Sequence, residues 1–380
     1  MAYTAPGTAV AGDVLTAAFW NSNVRDNITE LAGAPFARNI LYNGAMQISQ
    51  RGTSTASITT AGYYTADRWN VAIGTLGTWT QSVTADAPTG RGFVNSLKML
   101  CTTADASPAA GDYMLFKQIL EGYDVQRIAK GTSSASPLIL SFWVKANVTG
   151  TYIIEIADNT NNRRIAASYS INASATWEYK TVVIAADTTG TLANDANAAL
   201  EVVWWLGAGS TFSSGTLQTT WGTTVNANRA VGQTNLASAT NNYWQVTGVQ
   251  LETGSVATGF EFLPITDDLR RCQRYYQMMV AGTAFGPIGS GLVNSTNLCA
   301  IYIPMPVQMR ANPTVGSFAN LRVFDASNAP SVSAIAVTQT SKSVITLDVT
   351  LSASTLTAGR CGLLQGNNNA AGYVDFSAEL

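Results

Sequence analysis

From residue 39 to about residue 265 the chain repeats one pattern. Short runs rich in Val, Ile, Thr, Tyr and Trp alternate with breaks of Gly, Asn, Asp and Ser. Such runs read as β-strands separated by turns. They include 138–146 (LILSFWVKA), 151–157 (TYIIEIA), 165–171 (IAASYSI), 177–185 (WEYKTVVIA), 200–206 (LEVVWWL) and 243–252 (YWQVTGVQLE). In the first of these, Leu138, Leu140, Phe142 and Val144 share one face, and Ser141, Trp143 and Lys145 share the other. That alternation is the period of a strand with one buried side. The Asp/Asn-rich break at 158–162 (DNTNN) reads as a hairpin loop. The pattern predicts an all-β domain over 39–265, an antiparallel two-sheet sandwich of the jelly-roll kind.

The pattern differs at both ends. Before the strands, Ala17, Trp20, Val24, Ile28 and Leu31 recur at spacings of three and four, behind Thr16, which can serve as the N-cap. This predicts a helix within 13–32, stopped by Gly33 and Pro35. Four turns are marginal alone in water, so a stripe containing Trp20 asks for a partner or for local packing. Residues 1–38 thus form an arm and helix suited to oligomerisation or attachment, with Trp20, Val24, Ile28 and Leu31 as the contact stripe. After the strands, 266–279 (TDDLRRCQRYYQMM) carries Asp267 and Asp268 before Arg270, Arg271 and Arg274. That order suits the dipole of a short helix. Strand-like runs then return through the C-terminus, so 266–380 reads as a second, smaller β domain.

Residues 207–242 interrupt the strand pattern with small polar residues. A structureless stretch of this length inside a compact domain is often functional. It is expected to project, or to contact a neighbouring chain, and it contains Phe212 and Trp221.

Composition narrows the chemistry. The chain has 380 residues and no histidine. A Ser-His-Asp triad, a Cys-His pair and an HExxH zinc site are therefore excluded. Charged residues are only 12% and the net charge is −2, against roughly 25% charged in a typical domain. The basic footprint of a nucleic-acid binder is missing. The first residues lack the basic and apolar regions of a signal peptide, and no apolar run approaches 18 residues. A soluble product made in a cytoplasm without a leader, and with no membrane insertion, is expected.

Cys101, Cys272, Cys299 and Cys361 lie far apart and form no CxxC. Buried free thiols fit this spacing, and a Cys299–Cys361 disulfide is also open. Paired carboxylates are the hydrolytic chemistry left without histidine. The acids, however, are scattered. Asp267 and Asp268 suit a helix start, and Glu252 and Glu261 suit turns or salt bridges. The 158–162 turn offers oxygen ligands for calcium but lacks the spacing of an EF-hand loop. No cofactor or metal is expected.

The aromatics remain: nine Trp, 14 Tyr and 12 Phe. Aromatic faces stack on sugar rings while amides bind hydroxyls, and a low-charge surface suits a neutral glycan. Trp69, Trp143, Trp177 and Trp204 sit in strand runs and are expected in the core. Trp79, Phe212 and Trp221, in Gly/Thr-rich contexts, are the candidate ligand-binding residues, together with Tyr243.

Several segments carry a resemblance. NILYNGAMQISQRGTS followed by YYTADRWNV, within 39–71, resembles the opening of the carbohydrate-binding-like sandwich of bacteriophage tail-fibre and related virion fibre proteins. WQVTGVQLETGSVATGFEF (244–262) is similar to its closing strand, with Gly259 where the family has Pro. LRRCQRYYQ (269–277) resembles the link to a distal β domain, and LTAAFWNSNVRDNITEL (15–31) the N-terminal helices of phage structural proteins. These are scaffold motifs and carry over no ligand residues. The resemblance implies a virion protein, commonly a homotrimer, held to other virion proteins by its N-terminus with its distal domain outward.

The expected function is a tail-fibre or receptor-binding adhesin that binds host surface polysaccharide without catalysis. A head fibre or a capsid or tail decoration protein with a structural role is the alternative. A polysaccharide depolymerase using acids alone is the third reading.

Overall fold

The computed structural model describes residues 14, 16–21, 24 and 38–380. The chain separates into a first compact unit ending at Leu263 and a second, Pro264–Leu380. Ahead of the strands, Ala17–Trp20 forms a helical turn. Thr16 caps it, its Oγ1 accepting from the Phe19 N–H at 3.1 Å. Trp20 is 53% exposed. Ile28 and Leu31 lie outside the described residues.

The first unit is an all-β jelly-roll sandwich of two antiparallel sheets. One sheet runs, in spatial order, β1 (Ser54–Ile58), β4 (Thr78–Thr84), β5 (Ser96–Thr103), β13 (Tyr243–Thr253), β7 (Leu138–Ala146) and β10 (Glu178–Ile184). The other runs β12 (Gly222–Thr223), β9 (Arg163–Ile171), β8 (Gly150–Asp158), β11 (Ala198–Ala208), β6 (Tyr113–Glu121), β3 (Asn70–Gly74) and β2 (Gly62–Tyr63). From β5 onward the chain passes repeatedly between the sheets, so each sheet's inner face is covered by strands of the other. The 158–162 break closes the β8–β9 hairpin.

Aromatic rings fill the space between the sheets. Trp69 stacks on Phe116 at 4.8 Å, and Trp204 meets both Trp69 and Phe142 at 5.7 Å. Trp244 packs on Phe116 at 5.4 Å. All five rings are fully buried. Burying a side chain of this size contributes about 3 kcal/mol, so this cluster is a main source of stability. Trp69 and Trp204 therefore lie in the core, as their strand context predicts.

The opening segment clasps the closing strand. Asn39 accepts from the Leu251 N–H at 3.0 Å and donates to the Val249 carbonyl at 3.0 Å. Asn43, also buried, donates to the carbonyls of Ile48 and Asp67, while its own carbonyl accepts from the Trp69 indole at 3.1 Å. Asp67 accepts from the Gln50 N–H at 3.0 Å, and Arg68 donates to the Ile119 carbonyl at 2.6 Å. The residues of the opening motif thus satisfy buried backbone groups, as a structural motif must.

The second unit opens with a helix, Ile265–Gln273, with Asp267 and Asp268 in its first turn and Arg270 and Arg271 in its last. It is shorter than 266–279. From Tyr276 the chain is strand β14 (Tyr276–Val280), paired with β22 (Tyr373–Ser377) beside β17 (Thr314–Ala319). That pairing buries Tyr276 and Gln277, which outweighs the local helical pattern. A six-stranded sheet completes the unit: β18 (Leu321–Phe324), β21 (Cys361–Gly366), β15 (Pro287–Ser295), β16 (Leu298–Pro304), β20 (Val344–Leu351) and β19 (Val332–Thr340). Its core gathers Ile301, Ile303, Val323, Leu347, Val349, Leu364 and Phe376. All four cysteines are free thiols, three buried and Cys361 exposed, so Cys299 and Cys361 are not paired. Burial pushes the Cys299 thiol up to about 12, with a smaller contribution from Cys361.

Candidate functional site

The solvent face of the six-stranded sheet in the first unit carries the open site. Along β7, Leu140, Phe142 and Val144 point into the sandwich and Ser141, Trp143 and Lys145 point away from it. Trp143 is paired in register with Tyr179 of β10 and with Thr247 of β13. Its ring centroid lies 5.3 Å from that of Tyr179. Tyr179 is 44% exposed, and Trp143 is half-buried.

Two irregular segments cross this face and give it depth. The first joins β4 to β5. Its Phe93 is buried against a bulge in β13, where the register shifts between Thr247 and Gln250. Gly248 sits in that bulge with φ +62°, and a Cβ there would lie 2.5 Å from the Phe93 ring. The bulge therefore needs glycine for both backbone and space. The second segment follows β13. The Gln250 side chain accepts from the Glu261 N–H at 2.8 Å and donates to the Gly259 carbonyl at 3.2 Å. Glu252 accepts from the Thr258 N–H and hydroxyl at 3.1 and 2.6 Å. Phe93, Phe260 and Phe262 then pack on one another at 4.8 to 5.1 Å.

Between these segments and the sheet lies a groove of about 320 Å³. Ser141 and Trp143 line it from β7, Tyr179 from β10, and Thr258, Phe260 and Phe262 from the closing segment. Arg91 completes it, with its guanidinium 5.2 Å above the Trp143 ring. Aromatic faces, hydroxyls and one guanidinium can stack a ring and hydrogen-bond its edge.

Beside the groove the charges are largely neutralised. Lys145 is paired with Asp86 and lies 5.1 Å from the Trp177 ring. Asp86 also accepts from the Trp177 indole and the Gln245 amide, each at 3.2 Å. Burial works to raise the Asp86 carboxyl, but the Lys145, Trp177 and Gln245 donors outweigh it and hold it below its usual value. Tyr243 is half-buried on this face, with Lys98 Nζ 4.5 Å from its ring. Burial and the nearby Asp86 charge raise its phenol, so it stays neutral.

The other candidate residues lie elsewhere. Trp79 is fully buried and its indole donates to the Leu76 carbonyl at 2.7 Å, so it offers no face to a ligand. The 207–242 stretch does not project. It folds back over the outer face of the seven-stranded sheet, where Phe212 and Leu217 pack on a cluster of Leu115, Ile153, Val203 and Trp205. The reason is apolar: that face is too hydrophobic to leave in water. Phe212 lies 5.4 Å from Trp205 and 5.6 Å from Tyr113. Trp221 is half-buried, donates its indole N–H to the Ala185 carbonyl at 2.7 Å, and lies 5.2 Å from Lys130 Nζ.

Acidic groups at two places in the first unit are likewise committed to the scaffold. Glu155, fully buried, accepts from Arg229 at 3.0 and 3.1 Å and from the Trp205 indole at 3.1 Å, and pairs with Arg164. At the 158–162 turn, the oxygen-rich position is filled by an ammonium. Lys130 Nζ meets Asp158 at 2.5 Å, Asp187 at 3.1 Å and the carbonyls of Thr189 and Gly190 at 3.0 and 2.9 Å. No helix among the described residues is long and apolar enough to cross a membrane.

Trp143 and Trp177, expected in the core, are instead half-buried on the open face, and Tyr179 beside them carried no sequence motif. The alternation of β7 already placed Trp143 opposite Phe142. That parity was the available signal.

No family model and no curated protein matches the sequence. Solved structures do. A bacteriophage CBA120 tailspike protein 4 enzymatically active domain matches 58% of this chain at 14% identity with a TM-score of 0.31. The match spans 22% of that tailspike chain. A family 61 carbohydrate-binding module in complex with β-1,4-galactotriose matches 57% of this chain and 99% of its own, at 9% identity and a TM-score of 0.29. A family 11 carbohydrate-binding module from Clostridium thermocellum, in complex with a β-1,3-1,4-mixed-linked tetrasaccharide, matches 54% and 98% at 11% identity and a TM-score of 0.28.

Proposed function

We propose that this chain is a glycan-binding adhesin of a bacteriophage virion fibre. It takes host cell-surface polysaccharide into the groove over β7 and β10 and does so without catalysis. The pair of Trp143 and Tyr179, adjacent on an open sheet face and rimmed by hydroxyls, carries the reading. Such a pair stacks successive sugar rings, and the exposed Tyr179 hydroxyl binds a ring edge. The order of the opening and closing motifs supports the fibre role. The exposed Trp20 supports attachment or homotrimer formation through the N-terminal segment.

Binding of the labelled protein to host cells, and to polysaccharide purified from them, tests the proposal. Wild-type protein is expected to bind both, and Trp143→Ala to lose both. Adsorption unaffected by Trp143→Ala, or by deletion of the protein from the particle, overturns it. Release of new reducing ends overturns the non-catalytic part. For assembly, Trp20→Ala or Val24→Asp is expected to weaken trimerisation or incorporation while leaving the sandwich folded. Light scattering and particle composition read that out.

A further inference from the structure

Like Lys98, which lies over the Tyr243 ring, but unlike most cations of the sandwich, Arg91 pairs with no carboxylate among the described residues. Lys130, Lys145, Arg163, Arg164 and Arg229 each hold a carboxylate. Arg91 is exposed, lines the groove, and has its guanidinium 5.2 Å above the Trp143 ring. In a chain with only 12% charged residues, an unpaired guanidinium over the stacking platform is a selective feature. A neutral sugar would need only the rings and hydroxyls of the groove. Guanidinium presents parallel N–H donors that match a carboxylate, and such charge-assisted bonds are stronger than neutral ones.

We infer that the groove selects an acidic polysaccharide, with a sugar ring on the Trp143–Tyr179 pair and its carboxylate on Arg91. The inference rests on the glycan-binding reading and adds the class of ligand to it. Arg91 stacked on Trp143 keeps the guanidinium at the groove, and the sugar ring displaces it from the ring face as the carboxylate takes it. Arg91 is then a specificity residue, and Trp143 serves acidic and neutral sugars alike.

An array tests this with the full chain. Uronate-, pyruvate- and sialate-bearing polysaccharides are each printed beside their carboxyl-reduced counterparts. The wild type is expected to bind at least one acidic member about tenfold or more tightly than its reduced partner. Arg91→Gln is expected to erase that difference, and Trp143→Ala to lose both members. The preference should also weaken as salt is raised. Equal binding to the acidic and reduced members overturns the inference and leaves glycan binding standing. An acidic preference that survives in Arg91→Gln also overturns it. A wild-type protein that binds no spot overturns the glycan reading and this inference together. Arg91 is exposed, so a thermal melt of Arg91→Gln matching the wild type separates lost selectivity from lost fold.

Discussion

Trp143 and Tyr179 sit directly opposite each other in the β7–β10 register, ring centroids 5.3 Å apart, on the face of the sheet away from Phe142. Neighbouring Phe142 is fully buried while Tyr179 is 44% exposed, so one strand pair serves core and surface at once. This separates binding from stability. Trp143→Ala is expected to weaken polysaccharide binding by about tenfold or more, as loss of a central aromatic anchor does. Tyr179→Ala should weaken it less. Neither should cost more than about 1–2 kcal/mol of stability, since neither ring is fully buried. Titration calorimetry beside a denaturant melt checks both. Equal loss of fold and binding would contradict the division.

The groove can be altered without touching a ligand-facing ring. At Gly248, φ +62° disfavours any side chain, and a Cβ would stand 2.5 Å from the Phe93 ring. Gly248→Ala is expected to push Phe93 outward and disturb Phe260 and Phe262 behind it. Stability should fall by about 1–3 kcal/mol, and binding should weaken although Trp143 and Tyr179 remain. Phe93→Ala in the same background removes the clash. It should recover part of the stability, as a double-mutant cycle would show.

Phe212 and Trp221 make the opposite prediction. They hold the 207–242 cover on the seven-stranded sheet and are absent from the groove. Phe212→Ala should loosen that cover and cost about 2–3 kcal/mol, with glycan affinity unchanged. Trp221→Ala should behave alike with a smaller cost. Hydrogen exchange is expected to rise at 207–242 in both. A selective loss of binding would return these residues to the site. Trp79→Ala should cost more, about 3–5 kcal/mol, because its ring is wholly enclosed.

The strands were legible because burial on one side imposes a period of two, and Leu138–Ala146 shows it plainly. The same parity marked Trp143 as outward. A strand context alone could not say whether an outward ring is covered, because the cover comes from segments distant in sequence. Phe260 and Phe262 reach the groove only because Gln250 and Glu252 fold the closing segment back. The 207–242 stretch folds back instead of projecting for a related reason. Its small polar residues look solvated, yet Phe212 and Leu217 answer an apolar outer face, built around Trp205, that no local pattern reveals. The 158–162 turn likewise showed oxygen donors but not their occupant, since Lys130 arrives from 28 residues away.

Lys130 gives the last prediction. Its side chain is 2% exposed and bridges Asp158 and Asp187, at 0% and 3%. Burial works to raise the Asp187 carboxyl, but the bonds from Arg163 and Lys130 outweigh it and hold it below its ordinary 3.8. Lys130→Met keeps most of the volume and removes the charge. Two buried carboxylates then face each other with only Arg163 to offset them, and stability at neutral pH should fall by about 3–5 kcal/mol. The pH dependence has a definite sign. In the wild type the Asp187 contribution is complete above pH 3.8 and is lost as pH falls through the lower folded value. In the variant Asp187 loses the lowering influence of Lys130, so its carboxyl takes up a proton at higher pH than in the wild type and the repulsion is relieved on acidification. The stability gap between wild type and Lys130→Met should therefore narrow on acidification. A gap that stays constant from pH 7 to pH 4 would mean that Lys130 acts by packing alone. Urea melts across that range decide it.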